Sequence, residues 1–348
     1  MRTEHILIIR FSALGDVAMT VPVVSSLARQ YPDLRITVLS RSFMRPLFEG
    51  IAPNVGFMGA DFNKEYRGVK GLNALYRRLV AKNFTAVADL HDVLRSSYLR
   101  MRFSAARYHV EHINKNRRGR KALTRKNDKK LVQQHTSFEK YADVLARLGY
   151  PVELDFTSLF PPEGGPLHEI EAAIGGKKDS QKWIGVAPFA AHEGKVYPKE
   201  KTFETIKLLL KSHPTARIFL FGGGEKELKV MDAWAGEEPR CSVVPRMVQG
   251  FRNELILMSH LDVMLSMDSA NMHLASLVAT PVVSIWGATH TLAGFKGWNQ
   301  SEATVIQTEL PCRPCSIFGN SPCHRGDYAC LNSITPEQVA GRIESFLK

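Results

Sequence analysis

The chain has 348 residues, 44% hydrophobic and 23% charged. That is enough apolar material for two packed cores. No apolar stretch approaches the roughly 20 residues that span a bilayer, which excludes a membrane-crossing helix. Residues 1–10 hold a short apolar core with no small-residue cleavage site, so they read as the first strand of a cytoplasmic protein rather than a secretion signal. Five cysteines in that compartment read as thiols or metal ligands, not disulfides. The formal net charge is +12, and residues 95–130 alone carry thirteen Lys and Arg against Glu111 and Asp128, a net +11. Such a stretch attracts an anionic partner or is a solvated loop. Its only aromatics are Tyr98, Phe103 and Tyr108, too few to stack bases, so nucleic acid is not expected.

In chain order, strands are predicted at 6–10, 35–40, 55–59 and 86–90. Helices are predicted at 17–30, 44–49, 72–82, 94–102 and 137–148, the last stopped by Gly149-Tyr150-Pro151. Two Gly/Pro-rich breaks, 160–166 and 175–180, then interrupt the pattern. Alternation resumes with strands at 183–187, 217–221, 242–244, 263–267 and 281–287, and helices at 203–212, 225–235, 254–259 and 272–279. A final helix, 336–346, follows Thr335 as cap. The division is therefore 1–165, 180–334 and a C-terminal helix, 335–348. Each half is an α/β, Rossmann-like domain with a parallel sheet, and two such domains facing each other leave a cleft lined by strand carboxyl ends.

Chemistry-bearing residues fall at those strand ends. After the first strand comes Arg10-Phe11-Ser12-Ala13-Leu14-Gly15-Asp16. Asp16 is placed to cap the following helix or to act as a general base on an attacking alcohol. Neither a dinucleotide fingerprint nor a phosphate P-loop is present. In the second half, Lys195 follows the first strand in a loop of small residues, or is simply a surface lysine. Gly222-Gly223-Gly224-Glu225 follows the second strand and suits a ribose diol. Met247 follows the third, as an adenine cover or as core packing. Asp268-Ser269-Ala270-Asn271-Met272-His273 closes the strand 263–267 and opens a helix, where free N–H groups and the helix dipole favour an anion. His273 can donate to a phosphate, whereas Asp268 suits N–H groups or a sugar hydroxyl.

With Leu14-Gly15-Asp16, Lys195 before Tyr197-Pro198, the Gly222–Glu225 turn, and Asp268-Ser269…His273-Leu274-Ala275…Pro281…Gly287-Ala288-Thr289, the chain resembles glycosyltransferase family nine. This is the family of ADP-heptose:lipopolysaccharide heptosyltransferases, and the resemblance covers essentially the whole chain. It implies a GT-B enzyme, inverting and metal-independent, that needs no cofactor for catalysis. It would move a heptose or related sugar from a nucleotide-diphosphate donor, expected to be ADP-heptose, to a lipopolysaccharide core acceptor. It also implies that Asp16 is the catalytic base, with Arg10 and Ser12 on the acceptor side. Lys195 and His273 then contact the pyrophosphate and Glu225 the ribose. Met247 lies on the adenine side, and Asp268, Ser269 and Ala270 belong to the donor turn. The implied partners are a nucleotide-sugar donor, a lipid-anchored saccharide acceptor, and peripheral contact with the anionic inner membrane. The chain departs from the family pattern in two places. Ala270 replaces the usual Gly, and Ala190 and Ala191 replace hydroxyl residues found before the Lys in some members.

Cys312, Cys315, Cys323 and Cys330 form a separate constellation that can close a tetrahedral structural zinc site or pack a loop as unpaired thiols. Two other functions stay open from sequence: a nucleotide-sugar epimerase of the same fold, and a non-enzymatic binder of anionic surfaces.

Overall fold

Ile6, Leu7, Ile8 and Ile9 have no solvent exposure. A strand buried on both faces is what a parallel sheet sandwiched by helices requires. In the computed structural model, which describes residues 4–347, this strand is β1 (His5–Ile9). It is followed by α1 (Leu14–Ala18), α2 (Val21–Gln30), β2 (Arg35–Ser40), β3 (Val55–Gly59), α3 (Gly68–Val80), β4 (Ala86–Asp89), α4 (Leu94–Ala105) and β5 (His109–His112). The chain then makes α5 (Arg117–Leu123) and α6 (Ser137–Arg147). The five strands form one sheet of order β3-β2-β1-β4-β5, parallel throughout.

The remaining elements are α7 (Glu171–Ile174), β6 (Trp183–Ala187), α8 (Lys199–Ser212), β7 (Arg217–Leu220), α9 (Glu225–Glu237), β8 (Cys241–Val243), α10 (Val244–Met247) and α11 (Phe251–Ser259). After them come β9 (Val263–Met267), α12 (Ala270–Leu277), β10 (Val282–Trp286), β11 (Val305–Gln307), α13 (Ala329–Asn332) and α14 (Pro336–Glu344). The second sheet, also parallel, has the order β11-β10-β9-β6-β7-β8. Counted from its own first strand, that is the doubly wound order, reversing between β6 and β9. In the first sheet the reversal lies between β1 and β4. In both units the crevice at the carboxyl ends of those two strands is where such folds bind ligands.

The chain divides into two compact units, Met1–Lys115 with His135–Thr157, and Asn116–Gln134 with Ser158–Lys348. The basic stretch is thus split between them. Its second part joins the C-terminal unit because Lys129 Nζ donates to the carbonyls of Cys312 and Pro314, both at 2.8 Å. Gln134 N also donates to Leu292 O, and the Arg120 guanidinium lies over the rings of Phe295 and Phe318. The last helix belongs to the C-terminal unit too, with Val339, Ala340 and Ile343 in its core.

Predicted strands recur within a residue or two of their observed bounds. Differences have local causes. The helix expected over 17–30 is broken, because Thr20 turns its hydroxyl back to Val17 O and Pro22 occupies the first turn of α2. The helix expected at 44–49 is a 3-10 turn, Ser42–Leu47, with Pro46 inside it. The edge strands β5 and β11 carry little apolar patterning, and α5 is mostly basic.

Candidate active site

The carboxyl end of β1 delivers Arg10 into the first unit's crevice, where it is only 7% exposed. Its Nη1 donates to Leu90 O at the end of β4 (2.7 Å), and its Nη2 pairs with Asp16 Oδ2 (2.7 Å). Asp16 stands in the first turn of α1, and the same Oδ2 accepts from Ala13 N (3.2 Å). Asp16 therefore does cap its helix, while its side chain remains one-third exposed. The Tyr141 hydroxyl donates to Asp16 O, and Arg10 lies 5.9 Å from the Tyr141 ring centre.

His91, which the sequence reading does not single out, sits beneath this loop, 7% exposed. Phe11 N donates to its Nδ1 (3.4 Å), which assigns the proton to Nε2, 3.5 Å from Ser12 Oγ. Burial, then the charges of Arg10 and Lys115, push the imidazole down to about 3. His91 is thus a neutral, fixed-tautomer strut. Fully buried Asp89 shapes its turn, accepting from His91 N and Asp92 N (both 2.9 Å) and from Arg100. The sequence signal was available: Asp89-Leu90-His91-Asp92 ends the strand that neighbours β1.

In the second unit, the ends of β6 and β9 bring Lys195 and Asp268 together, Nζ to Oδ2 at 3.0 Å. Ser269 is the extended N-cap residue of α12, its hydroxyl 3.3 Å from Ser266 Oγ, and His273 lies buried in the helix's first turn. Ala270 opens α12 without a positive φ, so glycine's conformational freedom is not required there. Glycine is required at 194. A Cβ there would meet Ala288 Cβ at 2.9 Å, and Ala288 N donates to Gly194 O. At Gly319 a Cβ would strike the Lys195 stem at 2.5 Å. Lys195 is thereby clamped against the segment after β11, and its neighbour Gly194 against the loop after β10.

That loop is pinned by Arg313, a second residue missed from sequence. It is 2% exposed and donates to the carbonyls of Trp286, Gly287, Thr289 and Thr308. Glu225 is exposed at the start of α9, while Glu227, not Glu225, accepts from the glycine turn at Gly223 N (2.8 Å). Met247 ends α10, half-buried.

Of the two readings of the four cysteines, the structure shows the unpaired thiols. Cys312, Cys315, Cys323 and Cys330 are free thiols, and among the described residues no three His, Cys, Asp or Glu side chains are arranged to hold a metal. Cys330 is instead packed in the core from α13. Burial alone would raise the Cys323 thiol, but backbone N–H groups of Tyr328, Arg325, Gly326 and Asp327 outweigh it and lower it. Cys312 and Cys315 flank Arg313, and Cys315 N donates to Ala288 O.

The sequence model described as glycosyltransferase family 9 (heptosyltransferase) matches residues 72–321. The chain belongs to this family and is a glycosyltransferase of the heptosyltransferase kind. Among curated relatives it is 25% identical over 301 residues to lipopolysaccharide heptosyltransferase 1 of Campylobacter coli, covering 82% of this chain and 84% of that protein. It is also 25% identical to lipopolysaccharide heptosyltransferase 3 of Escherichia coli K12, covering 79% and 80%. Among solved structures, a family 9 glycosyltransferase from Veillonella parvula shares the fold over 100% of this chain and 98% of its own, with a TM-score of 0.73 at 18% identity. Escherichia coli ADP-heptose lipopolysaccharide heptosyltransferase II shares it over 99% and 98%, with a TM-score of 0.69 at 17% identity. The GT-B fold class follows.

Proposed function

We propose that this enzyme transfers a heptose from ADP-heptose to a lipopolysaccharide core acceptor, with inversion and without a metal ion. The observation that carries the reading is the second unit's switch point. There a clamped lysine, a buried histidine and the first turn of α12 converge at the ends of β6 and β9. Inversion requires a nucleoside diphosphate to leave as a new bond forms on the opposite face. The leaving charge needs preorganised positive groups, and Lys195, His273 and the α12 N–H groups have that character. Relatives support the choice of sugar and base: one Escherichia coli heptosyltransferase structure, WaaC, holds ADP and another holds ADP-2-deoxy-2-fluoro heptose.

On this reading Asp16 takes the acceptor's proton, Ser12 lies on the acceptor side, and Glu225 and Met247 contact the ribose and adenine. Ser269 and Ala270 line the donor turn, and Asp268 orients Lys195. The acceptor's acidic groups, and the anionic inner membrane that carries it, meet the exposed cations of residues 95–130. Among the described residues no helix is long and apolar enough to cross a membrane, so such contact would be peripheral.

The test is a transfer assay with ADP-, UDP- and GDP-sugars and heptose-deficient lipopolysaccharide, with the product's anomeric configuration read by NMR. Transfer from ADP-heptose alone, inverted and undiminished by EDTA, is expected. Turnover of a nucleotide sugar without acceptor, retention, or loss of activity on chelation without unfolding would overturn it.

A further inference from the structure

We propose that Arg10 is the positioning residue of Asp16 and makes no contact with the acceptor. The inference rests on the reading of Asp16 as general base. A cation beside the first strand's end is expected, by resemblance, to touch an acidic acceptor sugar. The geometry assigns it elsewhere. Arg10 is 7% exposed, one guanidinium nitrogen is held by Leu90 O and another by Asp16 Oδ2, and Nε is buried without a hydrogen-bond partner among the described residues. Buried to that degree and tied to two acceptors, the guanidinium offers little surface to a sugar carboxylate.

The consequence lies in which oxygen does chemistry. Arg10 Nη2 and Ala13 N both engage Oδ2 of Asp16, and among the described residues no hydrogen bond falls on Oδ1. Two donors on one oxygen fix the carboxylate's rotation and leave Oδ1 to face the reacting hydroxyl. In the step, the acceptor oxygen forms its bond to the donor's anomeric carbon and its proton passes to Asp16 Oδ1. The anomeric carbon's bond to the diphosphate breaks, with its electron pair leaving on ADP. Arg10 keeps its charge throughout: burial opposes the charged form, but the neighbouring Tyr141, Asp16 and Asp89 outweigh it and raise the guanidinium above its ordinary value. His91 completes the mount from below, holding Phe11 N and facing Ser12, so the whole 10–16 loop is fixed before substrate arrives. Misaimed bases lose rate rather than affinity.

The test compares Arg10→Met and Arg10→Lys in wild-type and Asp16→Asn backgrounds, with ADP-heptose as donor and deacylated, heptose-deficient lipopolysaccharide as acceptor. Folding is followed by thermal melting. Arg10→Met should lower kcat on the order of 100-fold, the lower end of what general-base loss costs. The acceptor KM and the ADP Kd should stay within about twofold. Arg10→Lys should recover part of kcat, since one ammonium can still reach Oδ2 but cannot bridge to Leu90. In the Asp16→Asn background Arg10→Met should change neither residual turnover nor acceptor binding, as expected for two residues acting as one unit. If Arg10→Met misfolds, Arg10→Lys decides alone: lowered kcat at constant KM supports the proposal, and raised KM at constant kcat overturns it. Weakened acceptor binding from Arg10→Met when Asp16 is already Asn also overturns it. If Asp16→Asn retains turnover, the general-base reading itself fails. If Asp16→Asn is inactive while Arg10→Met turns over normally, only the role of Arg10 fails.

Discussion

Lys195 Nζ lies 3.0 Å from Asp268 Oδ2, with 14% and 6% of the two side chains exposed. This pair joins the ends of β6 and β9, the two strands between which the second sheet reverses. Removing one member of a buried pair costs more than the attraction itself, because the other charge is left unmatched. Lys195→Ala should therefore weaken ADP binding by about 3 kcal/mol, through a lost charge-assisted bond and an uncompensated carboxylate beside the phosphates. Adenosine affinity should be unchanged. Calorimetric titration with both ligands checks this, and equal losses for ADP and adenosine would remove the pyrophosphate from this site.

Buried His91 makes a pH prediction. Its folded value, about 3, lies below the ordinary 6.5 because burial and the charges of Arg10 and Lys115 disfavour protonation. Between those values the unfolded chain binds a proton that the folded protein does not. Stability contributed by neutral His91 is thus present above about pH 6.5 and lost as pH falls, by up to about 1.4 kcal/mol per pH unit. Glu254 acts in the opposite sense: burial raises its carboxyl to about 7, so its contribution is lost as pH rises from 4.5 toward 7. The two partly cancel between pH 4.5 and 6.5, and only a difference isolates either. In urea unfolding at pH 4.5, 5.5 and 7.5, His91→Asn should lose less stability on acidification than the wild type. Parallel curves would mean that His91 titrates normally.

These two sites show what the sequence discloses. The buried strands are legible because Val, Ile and Leu runs end at Gly, Asp or Pro, and Val263–Met267 and Trp183–Ala187 recur at their predicted bounds. Asp268 and Lys195 are legible as strand-end residues. Their pairing is not, because 73 residues separate them and only the sheet order makes β6 and β9 neighbours. His91 and Arg313 are hidden for the same reason. Each looks like an ordinary loop residue until the partner carbonyls or amides, supplied from elsewhere in the chain, are in place. Arg10 is visible as a cation at the right turn, but its direction depends on Leu90 O, 80 residues away.

Arg313 yields a stability prediction. Its guanidinium satisfies carbonyls at Trp286, Gly287, Thr289 and Thr308, and burial lowers its affinity for protons without discharging it. Arg313→Met would leave several of those carbonyls buried and unpaired, at about 1–3 kcal/mol each. A loss of at least about 3 kcal/mol in unfolding free energy is expected, with weaker ADP binding, since the loop after β10 packs on Gly194 beside Lys195. Arg313→Lys should repair only part of it, an ammonium having no planar fork. A variant as stable as the wild type would show that water replaces the guanidinium.

The split of the basic stretch sharpens its own test. Arg100 is tied to Asp89 and Asp92, and Arg102 to Asn73, while Arg120 is stacked on Phe295 and Phe318. These are structural cations. Arg117, Arg118 and Lys121 are exposed on α5. Neutralising these three should raise the apparent acceptor KM and weaken binding to anionic vesicles, at about 1 kcal/mol per charge near such a surface. Both effects should fade as salt shortens the screening length. Donor affinity should hold, because Lys195 and α12 keep their contacts. Arg120→Ala should behave differently, destabilising the docked segment with a smaller effect on vesicle binding than the triple variant. If the triple variant keeps wild-type acceptor kinetics and the wild type ignores anionic vesicles at low salt, α5 is a structural strap and the acceptor's charges are met elsewhere.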